Sequence, residues 1–252
     1  RAAGRELLTR GPELLAWRAP TDNDRISRVA QRWREAGLDR LSHELVAASQ
    51  VSDGQVSVTV RSAAAGCEVG FESIWHYLLQ GDGSLCIEHE CRPFGELPPL
   101  PRLGLQLRLP GAWRRLSWFG RGPHENYPDR LLAARVGRWE STVDEQYVPY
   151  TMPQDHGNHA EVRWFELRDE AGLGLRLTAA PLCHVAALGY TDHELDEAQH
   201  DWELRPRKEV VVSVAPRVSG LGNGSCGPGV LPAYQVPAEP CRYRLELRPL
   251  VD

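Results

Sequence analysis

Val56-Ser57-Val58-Thr59-Val60, followed shortly by Phe71-Glu72-Ser73-Ile74-Trp75-His76-Tyr77-Leu78-Leu79, is the stretch on which the fold turns. In the first run the valines at 56, 58 and 60 share one face of an extended chain, the period of a half-buried strand. Phe71, Ile74, Tyr77 and Leu79 mark a longer, less regular strand, and Gly81-Asp82-Gly83 turns it back into Leu85 to Cys91 as a hairpin. The proline-rich Pro98-Pro99-Leu100-Pro101 reads as a crossing to a second sheet. Further strands are expected at Leu105 to Leu109, Arg114 to Trp118, Ala134 to Trp139, Glu161 to Leu167, Leu173 to Thr178, Glu209 to Val218 and Arg242 to Leu247. Upstream, Arg5 to Trp17 reads as a strand, a turn and a strand, and the turn formers of Trp17 to Asp24 as a loop. Val29 to Ala36 carries the one helical pattern, closed by Gly37. The sum is an all-β chain of about ten to twelve strands of five to nine residues in one large antiparallel β-sandwich, with one short helix near the N-terminus.

Composition agrees: 19 prolines and 23 glycines spread over 252 residues require many connections between short elements. With no fixed-period repeat and no low-complexity linker, residues 1–252 are expected to form a single domain, with Leu195 to His200 an exposed acidic loop. The net charge of −5 is spread without single-sign runs, which excludes a phosphate-tracking basic stripe and with it nucleic acid. No apolar run reaches membrane-spanning length and no signal peptide is seen, so a soluble chain that begins within a longer polypeptide is expected. Lys208 is the sole lysine, which fits a GC-rich genome better than selection for arginine chemistry. Cys67, Cys86, Cys91, Cys183, Cys226 and Cys241 are irregularly spaced without a C-x-x-C, which reads as free, mostly buried thiols in a reducing cytoplasm.

Four constellations carry polar chemistry. Gly120 to Arg130 (G-R-G-P-H-E-N-Y-P-D-R) could use Glu125 or Asp129 as an acid/base group oriented by Arg130. The structural reading is stronger: Asp129 and Arg130 pair, Tyr127 packs a corner, and a lone acid is not a glycosidase site. His156, His159 and Glu161 suggest a metal, but Pro153 and Gly157 argue against the helix that such spacing needs, leaving a self-packed polar loop. Gly220 to Pro228 has four glycines; it lacks the Lys-Ser/Thr ending of a phosphate loop, and no paired base marks Cys226 as a nucleophile, so a binding loop or turn remains. Asp22, Asn23 and Asp24 suit sugar hydroxyls or cations as well as they suit their own backbone turn.

Five segments in order, W-R-A-P-T-D-N-D (17–24), R-W-R-E-A-G (32–37), W-F-G-R-G-P-H-E-N-Y-P-D-R (118–130), P-Y-T-M-P-Q-D-H-G-N (149–158) and G-L-G-N-G-S-C-G-P (220–228), resemble the C-terminal domain of the large β-galactosidases of glycoside hydrolase family 2. The resemblance covers nearly the whole chain. It implies a galactose-mutarotase-like supersandwich that follows a catalytic TIM barrel, and a homo-oligomeric parent. The parent's catalytic glutamates, and its magnesium and sodium, would lie in that barrel, so this domain is expected to hold no cofactor and no catalytic residue. A barrel alone takes about 250 residues.

Carried over by residue, the resemblance makes Asn223, Ser225 and Cys226 the tip of a loop that family members push towards the galactose site. Cys226 stands where some members have a sugar-stacking tryptophan. Asp22, Asn23 and Asp24 border the cleft mouth on a short segment, while Glu125, Asn126, Tyr127, Asp129 and Arg130 are carried over as structure. The competing readings are a free-standing epimerase of mutarotase type, using Glu125 or Asp155 with His156 or His184, and a lectin-like galactoside-binding module.

Overall fold

Period-two alternation becomes strand along most of the chain in the computed structural model, which describes residue 4 and residues 6–251. β1 is Arg10–Leu15; helices α1 (Asp22–Ile26) and α2 (Val29–Glu35) follow, and β2 (Ser42–Ser52), β3 (Gln55–Ala63), β4 (Gly70–Leu79) and β5 (Leu85–Phe94) run as successive hairpins. Next come β6 (Arg102–Leu109), β7 (Arg115–Gly122), β8 (Arg135–Thr142), β9 (His159–Arg168) and the long β10 (Gly174–Leu188). After α3 (Asp192–Glu197), β11 (Val210–Val218) and β12 (Cys241–Leu250) complete the fold.

All the strand pairings are antiparallel, as an all-β chain of this pattern predicts. They join into one branched sheet, β1-β6-β11-β10-β12-β5-β4-β3-β2, with β9 linking β10 to β7 and β7 pairing β8. The Pro98 crossing therefore does not reach a separate sheet. It carries the chain from β5 to β6 past three intervening strands, and Leu100 bridges Val236 on the way. Strand β10 is the hinge of the arrangement: Gly174–Ala180 pairs with β12, while His184–Leu188 pairs with β11.

One core cluster draws on β1, β4 to β7, β9 to β12 and α2, so the curled sheet closes on a common interior. In β6 that interior receives Leu103, Leu105, Leu107 and Leu109, and in β12 Tyr243, Leu245 and Leu247. The intervening β12 positions, Arg242, Arg244, Glu246 and Arg248, face outward, where Arg242 lies opposite Glu90 and Arg244 opposite Glu88. Opposite charges across a strand pair contribute roughly 0.2–1 kcal/mol each, so this outer ladder tunes pairing while the apolar face supplies most of the stability. Helix α2 is pinned by buried Ala30 and Trp33; the Trp33 indole meets Trp17 edge-to-face and donates to the Pro99 carbonyl at 2.7 Å.

Several expectations need correction. Arg5 lies outside the described residues, and from Glu6 to Leu15 there is one strand rather than two. Strands run from 6 to 15 residues, longer than expected, because paired neighbours extend them past their periodic centres. The end of the Trp17 to Asp24 segment is helical: the Thr21 hydroxyl accepts from the Asp24 amide while the Asp24 carboxylate accepts from the Thr21 amide, a capping box that starts α1. Thr191 and Glu194 start α3 in the same way, so Leu195 and Ala198 are buried rather than part of an exposed loop. All six cysteines are free, four of them buried, and Cys91 lies directly opposite Cys241. Among the described residues no helix is long and apolar enough to cross a membrane.

Candidate functional site

Four of the motif segments meet at one place, and an arginine that the sequence did not single out holds them. Arg18 is fully buried and grips Asp24 in a two-pronged contact, Nε to Oδ2 at 3.0 Å and Nη2 to Oδ1 at 2.7 Å. Its remaining donors reach the carbonyls of Ser219 and Gly220, both at 3.1 Å. A buried guanidinium of this kind is tolerated only because its charge is paired and its protons are placed. Asp24 also accepts from the Thr21 amide and hydroxyl, so its oxygens are occupied within the fold.

The glycine loop is clamped from the other side by the Tyr127 segment. The Asp129 carboxylate accepts from the Leu221 and Gly222 amides, at 3.0 and 2.8 Å, and Arg130 donates to the Gly222 carbonyl at 2.6 Å and to Asn223 Oδ1 at 3.2 Å. Asn23 adds a third tie: its amide donates to the Gly222 carbonyl and its oxygen accepts from the Ser225 amide and hydroxyl, at 3.0 and 2.7 Å. These approaches explain the glycines. A Cβ on Gly220 would lie 2.7 Å from the Asp129 carboxyl carbon, and Gly222 has φ +63° with the Val230 amide 2.6 Å from where its Cβ would be.

The third clamp holds Gln154 to Asn158. Asp155 accepts from Arg102, in a buried ion pair, and from the Tyr127 hydroxyl at 2.9 Å, while its amide donates to Ala19. Asp192 stands 3.8 Å from the same guanidinium, and burial raises its carboxyl above the ordinary range. Burial likewise lifts the Tyr127 phenol well above its usual value. Glu125 accepts from the Tyr150 hydroxyl and the Gly157 amide, and Asn126 ties its own segment to Asn158 and Ala160.

What the clamps present outward is the loop tip: Asn223, Ser225 and Cys226 are exposed. Of the cleft residues expected from sequence, Asp22 is exposed with its amide on Gln154, Asn23 is half-buried, and Asp24 is closed off against Arg18. A cavity of about 240 Å³ lies behind the tip, between the helices and the glycine loop; Asn23, Ser27, Arg32, Trp33, Leu221 and Gln235 are among its lining. Glu125, Asn126, Tyr127, Asp129 and Arg130 are all engaged in the clamps.

The residues of the other readings lead elsewhere. His156 Nδ1 faces the Gln154 carbonyl and its ring meets Tyr147 edge-on, whereas His159 packs on Trp118 and bonds Gln146 at 2.6 Å. Among the described residues no three His, Cys, Asp or Glu side chains gather as a metal-holding group. Burial pulls His159 and His184 down to about 4, so both are neutral imidazoles at pH 7, and His184 Nδ1 is held 3.0 Å from the Asn158 amide nitrogen.

Sequence reading missed Arg18, Arg102 and Asp192. Arg102 did carry a signal, since a cation beginning an apolar central strand requires a buried partner.

Fold and site together define an antiparallel β domain that fixes a glycine-rich loop in one conformation through buried arginine–carboxylate pairs. The chain belongs to the beta galactosidase small chain family, which it matches over residues 1–247. It is 33% identical over 222 residues to a beta-galactosidase of Priestia megaterium, covering 86% of this chain and 21% of that protein. With a beta-galactosidase of Lactobacillus delbrueckii subsp. bulgaricus it is 33% identical over 255 residues, covering 99% and 25%. The chain thus spans about a fifth to a quarter of the length of these curated relatives. Among solved structures, a GalM/aldose epimerase homologue from C. elegans aligns with TM-score 0.43 at 15% identity over 86% of this chain and 70% of that one. A galactose 1-epimerase from Lactobacillus acidophilus aligns with TM-score 0.42 at 7% identity over 84% and 67%.

Proposed function

We propose that this chain is the non-catalytic C-terminal domain of a glycoside hydrolase family 2 β-galactosidase. Its parent hydrolyses terminal non-reducing β-D-galactosides with retention, in the cytoplasm, and the domain packs on a catalytic TIM barrel and completes the substrate cleft with the Gly220–Pro228 loop. The observation that carries this reading is the convergence of the Arg18, Tyr127, Gln154 and Gly220 segments into clamps whose exposed product is the Asn223, Ser225 and Cys226 tip. Retaining hydrolysis needs one carboxylate to attack the anomeric carbon and another to protonate the leaving oxygen. The acids of the clamps are already committed: Asp24 to Arg18, Asp155 to Arg102 and Tyr127, Asp129 to backbone amides, Glu125 to Tyr150 and Gly157. The paired glutamates, the magnesium and the sodium would be supplied by the barrel.

The pure 252-residue chain is expected to leave nitrophenyl-galactoside uncleaved, and fusion to the remainder of the parent to restore turnover. Cleavage by the chain alone would overturn the reading. Catalysed interconversion of α- and β-galactose would favour the epimerase, and galactoside binding by the chain alone in calorimetry the lectin-like module. Within the parent, Cys226→Trp adds a ring face worth about 1 kcal/mol or more of sugar contact and is expected to lower KM several-fold, while Cys226→Ser leaves it unchanged. An unchanged KM for Cys226→Trp places the tip away from the sugar.

A further inference from the structure

Across β4, β5 and β12 the interior face is built of lateral rows, because directly opposite residues of antiparallel strands project to the same side. One row is Trp75, His89 and Tyr243, held by the stack of His89 on Trp75 and by the contact of His89 Nδ1 with the Tyr243 hydroxyl at 2.9 Å. The next row is Ser73, Cys91 and Cys241. Cys91 and Cys241 are 0 and 8% exposed, and both belong to the main core cluster. The fold thus sets two free thiols side by side on adjacent strands.

Opposite positions of an antiparallel pair hold their Cα atoms about 4.5 or 5.5 Å apart, and a disulfide accepts roughly 4.4–6.8 Å. Closure therefore needs rotation of two side chains rather than movement of either strand. None of the other four cysteines has this placement: Cys86 lies opposite Leu78 and Glu246, Cys183 opposite Val162, and Cys67 and Cys226 lie outside the strands. Electrostatics agrees with the register. Burial pushes the Cys91 thiol up to about 12 and the neighbouring Cys241 adds to the rise, whereas at Cys241 the nearby Arg217 opposes the rise that burial causes. Cys241 heads β12 and is the one of the two that solvent reaches, so it is the thiol that reacts first.

We propose that Cys91 and Cys241 form an oxidation site, in which hydrogen peroxide converts the pair to a cross-strand disulfide that staples β5 to β12 and a small dithiol reverses it. The Cys241 thiolate attacks one peroxide oxygen, the O–O bond breaks and hydroxide leaves. The Cys91 thiolate then attacks Sγ of the resulting sulfenic acid, the S–O bond breaks and a second hydroxide leaves. The hydroxides take up the two thiol protons, so the thiols lose two electrons and the peroxide ends as two waters. Reduction returns both electrons and both protons from the dithiol, which itself closes to a disulfide. The pair lies inside one core, so this chemistry is independent of the hydrolase reading and is read without turnover.

The test is incubation of the folded 252-residue chain with hydrogen peroxide, capping of free thiols with N-ethylmaleimide in denaturant, and mass spectrometry of the non-reduced peptides. A Cys91–Cys241 link is expected, lost on treatment with dithiothreitol. Because the link closes a loop of about 150 residues, the oxidised chain is expected to melt about 5–10 °C above the reduced one. In Cys241→Ser the Cys91 thiol is expected to stay reduced under the same treatment, and the melting shift to vanish. The proposal is overturned if both thiols survive peroxide, if they gain oxygen separately without linking, or if either links to another cysteine instead. A link that forms only when the chain is denatured before oxidation overturns it as well, since the strand register then plays no part. If Cys241→Ser fails to fold, the peptide map of the unsubstituted chain decides alone.

Discussion

The loops gathered around Arg18 and the β2–β3 hairpin meet the same problem, backbone polar groups outside a ladder, in opposite ways. Around Arg18, side chains supply the missing partners: arginines take the carbonyls of Ser219, Gly220 and Gly222, and Asp129 takes the amides of Leu221 and Gly222. Along β2 the outer edge is left open and the side chains on it are uncharged apart from Glu44. The first solution gives a surface of one shape that tolerates little change. The second gives a surface that tolerates substitution and invites another strand.

That contrast breaks first at Arg18. Arg18→Met removes the partner of a buried carboxylate and four donated hydrogen bonds, and is expected to cost about 3–5 kcal/mol in urea denaturation, or to prevent folding. A loss below about 1 kcal/mol would show that the clamp does not govern stability.

Acid should act in the same range. Burial pulls His159 and His184 down to about 4 and His89 to about 3, so the unfolded chain takes up protons below about pH 6.5 while the folded chain resists them. Stability is therefore full above that pH and falls as pH drops towards the folded values, with a slope of up to roughly 4 kcal/mol per pH unit near pH 5 for three such groups. His159 and His184 flank the clamps, whereas His89 stacks on Trp75 at 3.6 Å in β4. Replacing the first two by glutamine should remove most of the slope measured between pH 7 and 5.

A smaller effect sharpens the comparison. Asp129→Asn keeps one acceptor but loses the charge assistance to two amides, for an expected 1–2 kcal/mol, about the worth of one or two hydrogen bonds, with faster amide exchange at Leu221 and Gly222. Smallest is Leu45→Ser in β2, expected to stay within about 0.5 kcal/mol in the monomer. A larger loss would mean that the edge is covered.

Strand content was legible because alternation is local: Val56, Val58 and Val60 need no partner to declare a face. The two extra helices left a trace in the capping boxes of T-D-N-D and T-D-H-E, but the same residues are turn formers and read as loops. The single branched sheet was not, since β6 and β5 are separated by strands that come later in the chain. The site divided in the same way. Motif residues could be named from type and spacing, but Arg18 and Arg102 gain their roles from Asp24 with Gly220, and from Asp155 with Asp192, contacts that mostly span long stretches of sequence.

The bond from Arg18 to the Ser219 carbonyl joins positions 201 residues apart. A ribosome adding about 5–20 residues per second makes the arginine some ten to forty seconds before its acceptor. Through that interval the guanidinium lacks two of its final partners, and the glycine loop does not yet exist. A chain cut short before β11 would keep the helices tied to Pro99 and Gln154 but leave the buried Arg18 without its two carbonyls, so the clamp closes only once synthesis has passed the glycine loop.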